Sequence, residues 1–377
     1  MPNAALRCER RLAILERSEN AKRCASLLNA LLCTTCYPCS IFGIIPKKLG
    51  GHVEKDLQAK RKHHHVWANY LLRWSTNNRD LFCVTSKGNI DFTSVRGLVM
   101  EKDFYQLTPL EQKHIDAILM FSSGSPEKLQ EQHKNYLWDF LKVQRVENAY
   151  KSANIQNDEA EQAILASKCN LLENLHTAHE NAAAHILEEL ARGNIETLKN
   201  DQNMISFMMY LGHQVARTKN FKVRCITGMK KNKPELGKIM EHSWWFFSYM
   251  FGMNMGLSLY SSRQNDNHTL LENNTNSNFI TSDQPAINVH YCVKDDVFQA
   301  PENMDLYYPI SPKYSYVITE SHRFESGLVE IDEPIVTEFN RKVATNANSH
   351  IFALSKLDVD TYKSLVGNSL RKIKEYA

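Results

Sequence analysis

The chain has 377 residues, 43% hydrophobic and 23% charged, with 45 basic against 42 acidic side chains and a formal charge of +3. Such a length holds one large domain or two ordinary ones around a buried core, and the composition excludes a disordered chain and one wholly embedded in a membrane. The near-balance of charge excludes a global pull towards nucleic acid, so any such binding would need a local basic patch. The cysteines are odd in number, crowded before residue 40 and scattered after it. That pattern suits reduced thiols in a cytoplasmic protein and not a disulfide framework.

In chain order, residues 1–60 read as a loosely packed, poorly ordered N-terminal extension and 61–377 as the main domain. The uncharged run Ala25–Pro46 is interrupted by Pro38, Gly43 and several polar side chains. It is too weakly apolar for a signal peptide or a span, so no membrane is expected. No Met follows Met1 before Met100, which leaves a natural start near Val53 or Leu57 as an alternative. Trp67, Tyr70, Leu71 and Trp74 follow helical spacing and predict a helix over roughly 66–75. Leu81–Thr85 and Ile90–Thr93 read as a hairpin turning at Lys87-Gly88-Asn89.

From about 109 to 219 the pattern is helical, with Ile164, Leu171, Leu175, Ile186, Leu187 and Leu190 in one stripe and a stop at Gly193-Asn194. A further helix is expected over Ile195–Thr218. The basic run from Lys219 to Lys238 reads as a solvated loop, with a phosphate-binding surface as the alternative. The uncharged His242–Ser262 is expected to be a core helix and His268–Asn278 a loop. Asn278–His290 and Leu306–Thr319 are expected to be strands, and Ile335–Ala353 and Val359–Tyr376 helices. The sum is an α+β fold, a predominantly helical single domain with a small antiparallel sheet.

Three places carry side chains suited to chemistry. His63-His64-His65 directly precede a predicted helix, whose N-terminal dipole pushes imidazoles towards the neutral form and welcomes anions; neutral imidazoles ligate metals, act as bases, or merely cap. His213, Gln214 and Arg217 share a face of an apolar helix, where an Arg needs a carboxylate partner or a bound anion. Thr281-Ser282-Asp283-Gln284-Pro285 is a turn by its chemistry, and it also displays a carboxylate at a strand end. Cys33-x-x-Cys36-x-x-Cys39 is half of a zinc pattern without its second pair. The group His176, His179, Glu180 and His185 reads as a polar helix face turned to solvent. No P-loop, GxGxxG, GxSxG or HExxH is present.

Together these elements resemble a bacterial family catalogued as domain of unknown function 4238. The run from His63 to Trp74 is similar to its opening signature, His-His-Tyr-Val-Pro-Gln-x-Tyr-Leu-x-x-Phe, with Trp67 standing where the family has Pro. Gln214-x-x-Arg217-Thr218, Phe279-Ile280-Thr281-Ser282-Asp283-Gln284-Pro285, Tyr308-Pro309-Ile310-Ser311-Pro312, and Asn340 with Ala344 and Ala347 follow its later elements in order. The resemblance spans about residues 61–353 and implies one domain over most of the chain.

It nominates His63, His64, Gln214, Arg217, Ser282 and Asp283 as residues that the fold brings together. Imidazole, guanidinium and carboxylate suit phosphodiester cleavage, with a nuclease in a bacterial defence setting as the expectation. In that reading His63 or His64 moves the proton, Arg217 stabilises phosphoryl charge, and Asp283 orients a His or binds a divalent metal. Gln214, Thr218 and Ser282 would bind substrate. The alternative is a non-enzymatic module that binds nucleic acid or protein through the same polar pocket.

Overall fold

Gly88, at φ +80°, turns the first hairpin, where Asp80–Val84 (β2) and Ile90–Ser94 (β3) pair antiparallel as the alternation of their side chains predicts. The computed structural model describes residues 58–154, 156–293 and 301–375. The expected N-terminal extension, its apolar run and Cys33-x-x-Cys36-x-x-Cys39 lie outside the described residues, apart from the last few before residue 61. Ahead of the hairpin, Lys62–His64 form a short strand (β1) paired antiparallel with Met100–Lys102 (β4). His63 and His64 therefore lie in a strand, and His65 in the bend after it. The helix expected at 66–75 is a single α-turn, Ala68–Leu71 (α1), continued by a 3-10 turn, Leu72–Trp74.

The helical block follows: Gln112–Ser122 (α2), Glu127–Ala153 (α3), Asp158–Ala191 (α4), Asp201–Ala216 (α5), Lys219–Asn232 (α6), Pro234–His242 (α7) and Trp244–Ser262 (α8). In α3 the buried Leu129, His133, Leu137, Phe140 and Val143 fall at spacings of three and four, so one stripe meets the core. Asn157 caps α4 by accepting from the Ala160 N–H, and Gly193, at φ +84°, ends it. The helix expected over Ile195–Thr218 breaks at Asn200, because its side chain accepts from the Gln202 and Asn203 N–H groups and starts α5 anew.

The basic run forms α6 and α7 instead of the expected loop. Lys and Arg are good helix formers, Phe221, Cys225 and Met229 supply an apolar stripe, and Pro234 opens α7.

α8 is apolar on every side and buried, as expected of His242–Ser262. It meets α5 at close range. A Cβ on Gly212 would stand 2.4 Å from the Gly252 carbonyl oxygen and 2.5 Å from the Gly256 N, so these glycines set the spacing of the two helices.

The remaining strands are Asn267–Asn273 (β5), Thr281–Ser282 (β6), Ile287–Asn288 (β7), Asp305–Pro309 (β8), Tyr314–Thr319 (β9), Gly327–Ile331 (β10) and Ile351–Ala353 (β11). They build a five-stranded sheet in the order β10-β5-β9-β8-β7 and a four-stranded sheet in the order β3-β2-β11-β6. The first is mixed, since β10 runs parallel to β5, which widens the small antiparallel sheet expected. β5 falls where a loop was predicted. Its Asn and Thr read as turn chemistry, but Leu270 and Leu271 fill opposite faces of the sheet.

The same alternation holds in β8 and β9. Leu306, Tyr308, Tyr316 and Ile318 face the large helical core, whereas Tyr307 and Val317 face a second core under Glu333–Asn346 (α9). The helix expected over Ile335–Ala353 stops at Asn346 because β11 is needed by the four-stranded sheet. Lys356–Tyr362 (α10) and Asn368–Glu375 (α11) follow it. Among the described residues no helix is long and apolar enough to cross a membrane. Cys83, Cys169, Cys225 and Cys292 are free thiols.

Candidate functional site

The segments singled out in the sequence are fastened to one another by polar side chains of the core. Tyr70 of α1 puts its hydroxyl 2.8 Å from the Pro309 carbonyl, to which it donates, and 2.7 Å from the Thr281 hydroxyl. Trp74 donates its indole N–H to the Phe279 carbonyl at 2.8 Å. From α9, Asn340 accepts from the Ile280 N–H at 3.0 Å and donates to the Asn278 carbonyl at 2.8 Å. An amide side chain there takes the place of a neighbouring strand. These bonds hold β6 and the end of β8 against α1.

At the end of α5 stands Arg217, 2% exposed. Its Nη1 donates to Glu180 Oε1 of α4, and its Nη2 donates to the His64 carbonyl oxygen at 2.6 Å. Tyr105 donates its hydroxyl to the Arg217 carbonyl at 2.6 Å. Burial opposes the guanidinium's charge, but Glu180, Tyr105 and Glu173 outweigh it and raise its pKa, so Arg217 stays protonated. Burial pushes the carboxyls of Glu180 and Glu173 upward, with Arg217 acting against it. The carboxylate partner that an Arg on an apolar helix requires is thus supplied by the very face of α4 expected to lie in solvent. His176 and Glu180 are buried and His179 is half-buried; His185 alone of that group is exposed.

Around this ion pair gather imidazoles. His213 of α5 stacks on His179, ring centres 4.3 Å apart, and on Tyr249 of α8 at 4.8 Å, with His176 edge-on at 5.4 Å. Gly252 makes the room, because a Cβ there would lie 2.3 Å from His213 Nδ1. Neither ring nitrogen of His176 or of His213 has a hydrogen-bond partner among the described residues, although both are 1% exposed. Burial drives both far below the usual histidine range and takes His179 to about 4, so the group is neutral at physiological pH. His64 Nε2, Gln214 Oε1, Glu173 Oε2 and Arg217 Nε are also buried without a partner among the described residues. Buried polar groups are ordinarily hydrogen-bonded, so these atoms set the centre apart from the rest of the core.

The other nominated residues are engaged. His63 accepts from the Tyr105 N–H through Nδ1 at 2.8 Å, so its proton sits on Nε2 and is donated to the Cys169 carbonyl at 3.0 Å. Both nitrogens are spent on backbone. Asp283 Oδ1 accepts from the Asn348 N–H at 2.7 Å, and Oδ2 accepts from the Ser349 and His350 N–H groups at 2.8 and 3.1 Å. Its carboxylate thereby shapes the loop into β11. Ser282 exchanges hydrogen bonds with the Gln284 backbone.

The Thr218 hydroxyl lies between the Val215 carbonyl, at 2.9 Å, and Gln284 Oε1. Arg217 thus meets the backbone of His64, and Gln214 lies three residues before Arg217 on α5. Ser282 and Asp283 lie in a neighbouring cluster, joined to this one through Thr218 and Gln284. Glu180, absent from the sequence-derived site, pairs with Arg217, and His176, His179 and His213 pack against one another beside it. Their signal was the spacing 176, 179, 180 on one helix facing 213 and 217 on the next.

Among the described residues no group of three or more His, Cys, Asp or Glu side chains is placed to hold a metal ion. The basic run is largely occupied too. Lys219 pairs with Glu101, Lys230 with Glu241 and Lys238 with Glu235, while Lys222 lies over the Phe104 ring and Arg224 donates to Asn220. Few free cations are left there to meet a polyanion.

The class defined so far is a helix-rich α+β protein with a buried imidazole–guanidinium–carboxylate centre between two helices. The family model described as Protein of unknown function (DUF4238) matches residues 62–356, and the chain belongs to that family. It matches no curated protein and no solved structure.

Proposed function

We propose that this chain is a hydrolase of phosphodiesters and that its reacting centre is built on Arg217, His64 and the imidazoles of α4 and α5. The observation that carries the reading is a guanidinium fixed by Glu180 and the His64 carbonyl, next to buried neutral imidazole nitrogens with no partner. Water would attack phosphorus as His64 Nε2 takes its proton. Arg217 Nε, the guanidinium nitrogen with no hydrogen-bond partner among the described residues, would meet the charge gathering on a phosphoryl oxygen. The P–O bond to the leaving group breaks, and the imidazolium returns its proton to the departing oxygen. Gln214 Oε1 is free to orient the water or a substrate hydroxyl. With Asp283 and His63 committed to backbone, the reading leaves them the task of holding the site in shape.

The test is turnover of labelled RNA, labelled DNA and bis(p-nitrophenyl) phosphate by the full chain, with and without divalent metal, next to His64→Ala. Removing a general acid–base is expected to cost about 100-fold or more while the circular dichroism spectrum is kept. Failure of the folded protein to cleave any diester under any of these conditions would dispose of the reading.

A further inference from the structure

The centre around Arg217 is closed to water, with Arg217, His213, Gln214 and His176 each at most 2% exposed. Part of its cover is the two-stranded arm of β1 and β4, which among the described residues joins neither of the larger sheets. The arm lies across α4 and the end of α5. His63 Nε2 donates to the Cys169 carbonyl at 3.0 Å, and Arg217 Nη2 donates to the His64 carbonyl at 2.6 Å. Asn170 of α4 takes the Lys60 N–H on Oδ1 at 2.7 Å and donates through Nδ2 to the Gln58 carbonyl at 3.0 Å. The Lys60 ammonium donates to Asn174 Oδ1 at 2.8 Å, and Glu101 pairs with Lys219 at 2.9 Å.

This attachment is polar nearly throughout. Among the residues of β1 and β4 only His63 is buried, so lifting the arm exposes little apolar surface, the mark of a segment that opens by itself. The pair of Lys219 and Glu101 is half exposed and holds the arm weakly. Both ends of β4 are strained. Val99 stands at φ +52° and Asp103 at φ +59°, a left-handed conformation that a β-branched residue rarely adopts. Strain of this kind gathers at clamps and switch segments, where the backbone has a second arrangement to move to.

We infer that residues 60–64 and 100–102 form a strap that lifts as a unit, turning at Val99 and Asp103, and so admits water and ligand to Arg217 and the imidazoles. Lifting breaks the bonds from His63 to Cys169 and from Arg217 to His64, and a guanidinium N–H is released to whatever enters. Closure then restores a dry centre, as a lid does. The strap is argued from geometry and its test uses no substrate, so it stands or falls apart from the hydrolase reading.

Cys169 reports the opening, since its carbonyl holds His63 and its Sγ meets Gln106 Nε2 at 3.8 Å. Cys169 and Cys83 of β2 are both closed to water, at 0% and 1% exposure, so each reacts only when something opens. The full folded chain is pulsed with iodoacetamide and read peptide by peptide by mass spectrometry, for the wild type, Asn170→Ala and Asn174→Ala. Cys169 should be labelled about tenfold faster than Cys83 or more, at a rate nearly independent of urea below the unfolding transition, because local opening exposes little surface. Asn170→Ala removes two bonds to the strap and should raise the Cys169 rate about fivefold or more while Cys83 is unchanged. Asn174→Ala frees only the Lys60 ammonium and should act in the same direction by less. Equal rates for the two thiols in the wild type would overturn the strap. So would a Cys169 rate that climbs with urea as steeply as that of Cys83, or an Asn170→Ala variant that speeds both alike, since either would make the opening global.

Discussion

The Arg217–Glu180 pair is buried on both sides, and its value lies in what each partner would cost alone. Arg217→Met should destabilise the fold by about 3–5 kcal/mol, because Glu180 is then left as an unpaired buried carboxyl. Adding Glu180→Leu should restore most of that loss, since an apolar pair of similar volume suits the same core. Urea unfolding of the two single variants and the double variant measures the coupling. Losses that simply add would show that the pair is not the unit described here.

The need for a carboxylate near Arg217 was legible in the sequence; its identity was not. Leu172, His176, Glu180, Ala183 and Leu187 form one stripe of α4 at spacings of three and four. Polarity alone sends its middle to solvent, and only the guanidinium opposite turns it inward. Asp283 illustrates the converse. Its turn chemistry was plain, but the three N–H groups it collects come from residues 348–350, and no local pattern reaches so far.

Among the elements, α5 and α8 depend most on what is missing from their surfaces. Gly212 would drive a Cβ into the backbone of Gly252 and Gly256, which cannot yield without moving a helix. Gly212→Ala should therefore lower stability by about 1–3 kcal/mol, even though alanine is the better helix former by about 1 kcal/mol. Gly252→Ala meets a side chain, the His213 ring, so its cost in stability should be smaller. Its effect should appear as displacement of His213 from His179 and Tyr249, and on the hydrolase reading as lost turnover. Comparing unfolding midpoints with activity separates the two. That α8 is a buried helix could be read from its uncharged, aromatic-rich run, although Gly, Asn and Ser interrupt it. That α6 and α7 are helices could not, because their lysines look like solvent until the stripe Phe221, Cys225, Met229 finds a core.

For the molecule as a whole, buried histidines set the response to acid. Burial takes His133, His179 and His268 to about 4, against 6.5 for the unfolded side chain. The unfolded chain therefore binds more protons than the native one between these values. The stability that these groups confer is complete above pH 6.5, is lost as pH falls towards 4, and levels off below. Urea midpoints measured from pH 7.5 down to 4 should fall along that window, and His268→Gln should flatten the slope. A midpoint that rises through the same interval would contradict the burial of these rings.

The four-stranded sheet has a consequence for how the chain is made. β2 pairs with β3 from within one hairpin, but its other edge is closed by β11, through Phe352↔Cys83 and Ala353↔Phe82. β6 reaches the sheet only through β11 as well. On a ribosome the hairpin emerges early and must wait, with an open edge, until almost the whole family region has been translated. A nascent chain stalled before residue 350 would hold the helical block and still lack the strand that joins its beginning to its end. Until that strand is made, the edge of β2 stays open to pairing with another chain.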